Sequence, residues 1–175
     1  MKNSWQHRLR SQLQKQPDPA DQPRRLSLIG IGNELGGDDA AGVAVIQRLQ
    51  AELSQREALQ LLNAGAAPEN ITGAVRRFQP GMIILFDAAD FGGQPGEVSL
   101  LDWRETTGFS ASTHSLPLHV FAAYLSSELD CAVYLVGIQP RSLDFDAPLS
   151  PPVEQAVAEL VAELQSILSA NHPPE

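Results

Sequence analysis

The sequence predicts a three-layer α/β/α domain: a mostly parallel, twisted sheet of about five strands between helices, with one edge strand antiparallel. Three observations predict it. Short apolar runs ending in glycine or aspartate alternate with amphipathic stretches of about a dozen residues, the pattern of βαβ units. Two of those runs, 82–86 and 132–138, are continuously apolar, as strands covered on both faces must be. A chain of 175 residues also buries about 70% of its unfolded surface as one domain, so a single core suffices without disulfides.

The elements follow in order. Residues 26–31 form the first strand and end in Gly-Ile-Gly. Residues 40–53 read as a helix with Val43, Ile46, Leu49 and Leu53 on one face. A second strand at 59–63 closes on Ala64-Gly65. Pro68 then opens a helix where the missing N–H costs nothing, with Ile71, Ala74, Val75 and Phe78 inward. The third strand, 82–86, ends at Asp87. Gly92-Gly93 and Pro95-Gly96 turn the chain into an edge strand at 97–102. The connection from Asp87 to Glu97 is too short for a helical crossover, which makes that strand antiparallel. A helix at 116–129, a buried strand at 132–138 and a helix from Ser150-Pro151 complete the domain. The last helix carries Val153, Val157, Leu160, Val161, Leu164 and Leu168 inward.

Residues 1–25, rich in Gln, Pro and Arg, read as a mobile basic arm, within which Trp5, Leu9 and Leu13 sit at helical spacing. The domain proper is 26–170, and 171–175 is a tail. Asp18 and Asp21 break the acid-poor pattern of a targeting sequence. No apolar stretch approaches the roughly 18 residues of a membrane span. A single cysteine, Cys131, fits a reducing compartment, so a cytoplasmic location is expected. The formal net charge is -9. The arm holds six basic and two acidic residues, whereas the remainder holds six arginines against nineteen carboxylates. So acidic a body repels phosphate backbones and argues against nucleic acid as a partner. Metal cations or basic protein surfaces suit it better.

Ligands of such sheets bind beyond the carboxyl ends of the strands. The first of these loops reads Gly30-Ile31-Gly32-Asn33-Glu34-Leu35-Gly36-Gly37-Asp38-Asp39. Its glycines resemble a dinucleotide fingerprint, but Asp38 and Asp39 put two carboxylates where the phosphates belong. The second strand ends in Asn63, not in a ribose-binding acid. An alternative for the acidic pair is a plain helix cap. Asp87 shifts the balance, because neighbouring strand ends place it and Asp39 in one cleft. Two carboxylates about 4 Å apart repel by roughly 4 kcal/mol at an effective dielectric of 20, so such a pair calls for a cation, a shared proton or an arginine. Asp90 adds a further oxygen donor nearby. His114, in the polar loop Ser112-Thr113-His114-Ser115, would complete an N/O/O set suited to nickel or zinc with positions left open.

Four segments together resemble the hydrogenase maturation endopeptidases, which clip a C-terminal extension from the large-subunit precursor of [NiFe] hydrogenases. They are Gly30-Ile-Gly-Asn33 with Asp38-Asp39; Asp87-Ala-Ala-Asp90 with Pro95-Gly96-Glu97; Ser112-Thr-His114; and Gly137-Ile-Gln139-Pro140. The segment Asn63-Ala-Gly65-Ala-Ala-Pro68-Glu69-Asn70 is most similar to the subgroup serving hydrogenase 3 (formate hydrogenlyase) enzymes. The resemblance spans 26–170. It implies that Asp39, Asp87 and His114 contact the nickel already installed in the precursor, so that cleavage checks nickel insertion. Peptide hydrolysis also needs a base for its water, and Asp38 or Asp39 is the candidate. The basic arm has no counterpart in compact members, and Ala40-Ala41-Gly42 stands where glycine more often follows the acidic pair directly.

Two readings compete with it. A phosphoacceptor receiver domain shares the acidic pair and the strand-three aspartate, but its last strand is followed by a lysine. Residues 26–175 contain no lysine, and Gln139-Pro140-Arg141 stands there instead. A fold-mate that binds without cleaving would lack turnover.

Overall fold

The computed structural model describes residues 4–14, 25–105 and 116–171. Five strands, β1 (Leu26–Ile31), β2 (Leu59–Gly65), β3 (Met82–Ala88), β4 (Val98–Leu101) and β5 (Ala132–Ile138), form one sheet in the order β2-β1-β3-β5-β4. The pairs β1–β2, β1–β3 and β3–β5 are parallel, and β4 runs antiparallel to β5. The helices are α1 (Trp5–Leu13), α2 (Ala41–Glu52), α3 (Thr72–Phe78), α4 (Leu118–Leu129) and α5 (Pro151–Asn171).

Alternation along the strands divides the core in two. Leu28 of β1 and Ile84 and Phe86 of β3 pack with Leu9, Val45, Ile46, Leu49 and the inner residues of α5. Ile29, Ile31, Ile83 and Leu85 pack with Val75 of α3 and with Phe121 and Leu125 of α4. Each such fully buried side chain contributes roughly 1.5–3 kcal/mol from transfer out of water. The strands β1 and β3 are buried throughout, which explains the unbroken apolar run 82–86 of β3; β1 departs from it at Ser27.

Two helices begin differently from the expectation. A 3-10 turn, Gly37–Ala40, precedes α2, and another, Pro68–Ile71, precedes α3. The first of these turns carries the acidic pair Asp38-Asp39. Helix α2 lies so close to the sheet that a β-carbon on Gly42 would run into the carbonyl oxygens of Phe86 and Ile31. The approach fixes the start of α2 directly over β1 and β3, and with it the acidic turn.

Part of the segment expected to be a mobile arm is helix α1, lying against β4 and α5. Ser4 caps it, its Oγ accepting from the His7 amide at 3.4 Å. Nine residues of polar sequence are too few for a stable isolated helix. Docking supplies what propensity does not. Leu9 is only 1% exposed, Arg10 pairs with Glu163 at 2.7 Å, and the Tyr134 hydroxyl donates to Gln12 Oε1 at 2.8 Å. The helical spacing of Trp5, Leu9 and Leu13 is realised as this helix, but its partners on α5 and β5 are far away in sequence and were not visible locally.

Candidate active site

The loop after β1 folds back on itself before entering the 3-10 turn. Asn33 Oδ1 accepts from the Leu35 amide at 3.1 Å, and the Gly36 amide donates to the Asn33 carbonyl at 2.9 Å. The turn then presents Asp38 and Asp39 side by side, both buried, yet to different surroundings.

Asp38 faces the loop between β5 and α5 and is 1% exposed. Its Oδ2 accepts from the Arg141 amide at 2.8 Å, the Ser142 amide at 3.0 Å and the Ser150 hydroxyl at 2.8 Å. Its Oδ1 accepts from the Ser150 amide at 2.6 Å, and its own amide donates to the Ser142 carbonyl at 2.9 Å. Four donors nearly fill the acceptor capacity of one carboxylate. Charge-assisted bonds of this kind are shorter and about twice as strong as neutral ones. Asp38 is therefore built as a strut between two loops.

Asp39 looks the other way. It is 4% exposed, and its Oδ2 accepts from the Asn33 amide at 3.0 Å. The turn that carries it lies against β3. Asp87, 1% exposed, is the sixth residue of β3, on the same side as Ile83 and Leu85 by alternation and in register with Gly137 of β5. A β-carbon at Gly137 would press on Ala89 and Leu101, so the position opposite Asp87 stays bare. The two carboxylates thus lie on the carboxyl side of the sheet, Asp39 in the turn that follows β1 and Asp87 near the end of the adjacent β3, where such sheets bind ligands. Burying them is costly unless charge or hydrogen bonding compensates.

The third expected ligand, His114, lies outside the described residues. Among the described residues, no three acidic, histidine or cysteine side chains converge as a metal site. Asp90, expected as a further oxygen donor, is exposed and engaged at the rim. Its Oδ1 accepts from Gln139 Nε2 at 3.1 Å and from the Gly92 amide at 3.2 Å. Those two bonds, Gln139 first, hold its carboxyl below the usual aspartate value. Gln139 is itself buried, and its Oε1 accepts from the amides of Phe91 and Gly93, both at 3.0 Å. One amide side chain thereby fixes the loop that follows Asp87.

Residues 43–167 match the family model described as hydrogenase maturation protease, HycI. The chain belongs to this family. It is accordingly a peptidase. The protease is 30% identical over 139 residues to the hydrogenase 3 maturation protease of Escherichia coli, covering 79% of this chain and 87% of that one. Its fold matches the crystal structure of a [NiFe] hydrogenase maturation protease HycI from Thermococcus kodakarensis with a TM-score of 0.76 and 35% identity, over 83% of this chain and 93% of that one. The solution structure of an endopeptidase HycI from Escherichia coli matches at a TM-score of 0.70 and 30% identity, over 81% and 89% of the two chains. Among the described residues no helix is long and apolar enough to cross a membrane.

Sequence reasoning did not find Ser150 as part of the site. A serine before proline at a helix start reads as an ordinary cap, and indeed the Glu154 amide donates to its carbonyl. Its hydroxyl instead serves Asp38, 112 residues away in sequence.

Proposed function

We propose that this protease removes the C-terminal extension of a [NiFe] hydrogenase large-subunit precursor after nickel insertion, in the cytoplasm, and that the precursor is of the hydrogenase 3 type. The relatives' names supply the substrate class. What supports the mechanism is the burial of two carboxylates, Asp39 in the turn after β1 and Asp87 near the end of the neighbouring β3, in a sheet whose strand bodies are almost wholly apolar. Buried, acceptor-only oxygens suit a cation brought in by the substrate, and nickel accepts an additional imidazole from His114.

Hydrolysis forms a bond from water oxygen to the scissile carbonyl carbon and breaks the C–N bond, with a proton delivered to the leaving amine. Asp39, Asp87 and His114 are assigned as the groups that engage the precursor's nickel, and Asp39 also as the base that takes the water proton. Asp38 is assigned a positioning role through the loop 139–150. The nickel belongs to the substrate, so the protease reads whether maturation is complete before cutting.

The test is intact-mass analysis of a precursor incubated with the protease, nickel-loaded and nickel-free. Loss of the C-terminal segment from the loaded form alone is expected. Equal cleavage of both forms would keep the peptidase and discard the nickel check, and no cleavage of either would refute the substrate assignment.

A further inference from the structure

Beside the Asp39 cleft, large apolar side chains stand in solvent on two loops: Leu35 is 51% exposed, Leu143 42% and Phe145 78%. Exposed apolar residues are ordinary when scattered, and informative when grouped. These are grouped by backbone bonds. The Asp146 amide donates to the Leu35 carbonyl at 2.8 Å, and a β-carbon on Gly37 would lie 3.0–3.3 Å from backbone atoms of Ser142 and Asp144. Asp38 clamps the same two loops together through Arg141, Ser142 and Ser150. The first of them also binds Asp39 through the Asn33 amide, two residues before Leu35. Among residues 32–36 and 139–150 the exposed charges are Glu34, Asp144 and Asp146 against Arg141 alone.

We infer that Leu35, Leu143 and Phe145 form the docking surface for the folded body of the precursor, seated on an apolar patch with a basic edge while its extension enters the cleft. The inference rests on the function proposed above. Its occupant follows from continuity: the loop that carries Leu35 also binds Asp39 through the Asn33 amide, so a precursor whose extension is engaged at Asp39 brings its body against this patch. The acidic surround favours a basic rim on the partner and speeds its approach. An exposed aromatic is the kind of residue that dominates such interfaces. Prepositioned loops also spare the ordering cost of binding.

The experiment is steady-state cleavage of nickel-loaded, folded precursor by the wild type, Phe145→Ser, Leu143→Ser and, as a control on α4, Tyr124→Ser. The KM should rise about 10–30-fold for Phe145→Ser, the size of an interface hot spot, with kcat within about twofold. Tyr124→Ser should keep both constants. Unchanged KM in Phe145→Ser, or a fall in kcat alone, overturns the inference while leaving the protease assignment intact. A wild type that neither binds nor cleaves the precursor removes the assignment, and the inference with it. Sedimentation of the protease alone covers the remaining occupant: a wild-type dimer that Phe145→Ser dissociates would show the patch to be a self-interface and would overturn docking of the precursor.

Discussion

At the carboxyl ends of β1, β3 and β5 the protease buries Asp38, Asp39, Asp87 and Gln139, whereas along the strand bodies Ser27 alone among the described residues is buried and polar. Ser27 is satisfied simply, its hydroxyl donating to Gln60 Oε1 at 2.8 Å. The bodies of β1 and β3 follow the rule that apolar surface goes inside, and they gain stability by it. The carboxyl ends break that rule repeatedly within a few residues. Such concentrated cost in an otherwise regular sheet marks the place where function overrides stability. Within the expensive end there is a finer division. Asp38 is compensated by four hydrogen bonds and ties two loops together, and Asp39 beside it accepts from the Asn33 amide in a turn that lies against β3.

That division can be broken by substitution. The largest effect is expected for Asp39→Asn and Asp87→Asn, each lowering the cleavage rate about 10²–10⁴-fold, the usual worth of a positioned acid or base. Each should keep or raise the unfolding midpoint, because a buried negative charge is removed without loss of shape. Asp38→Ala should do the reverse in emphasis. It strands four donors, at about 1–3 kcal/mol for each that finds no water, so a loss on the order of 3–5 kcal/mol in urea unfolding is expected. A stability loss below about 1 kcal/mol would show that Asp38 is not the strut described.

Smaller effects sharpen the contrast from the other side. Leu9→Ala in α1 should cost about 2–4 kcal/mol through the cavity it leaves, with kcat unchanged in the folded enzyme. Cleavage kinetics and urea unfolding on the same preparation separate the two readouts. The smallest effect concerns Cys131, whose thiol is pushed up from 9.0 to about 11 by burial and by the neighbouring Asp130 charge. The folded state then holds the proton more firmly than the unfolded chain. Stability is complete below about pH 9 and declines as pH rises toward 11. Cys131→Ala should flatten that alkaline decline, measured as unfolding free energy against pH; an unchanged profile would assign it to other groups.

The strand–helix alternation, the antiparallel edge strand and the buried faces of α2 and α5 were legible in the sequence because each rests on local periodicity. The doubly covered strand β3 announced itself as an unbroken apolar run, with Asp87 following it. Three features were not legible. The docking of α1 hangs on Leu9 and on partners, Glu163 and Tyr134, more than 120 residues away. The different partners of Asp38 and Asp39 depend on which way each side chain leaves a 3-10 turn, which no sequence pattern encodes. The service of Ser150 to Asp38 is likewise a contact between distant loops that no motif encodes.

The proposed division gives Asp39 the chemistry and Asp38 the architecture. The most direct test of that division is single-turnover cleavage of nickel-loaded precursor, followed by intact mass, for Asp39→Asn and Asp38→Asn at a temperature where both are fully folded. Asp39→Asn is predicted to leave the precursor uncut over many wild-type half-lives, and Asp38→Asn to cut it at a rate within about tenfold of wild type. Wild-type cleavage by Asp39→Asn, or complete loss confined to Asp38→Asn, would contradict it.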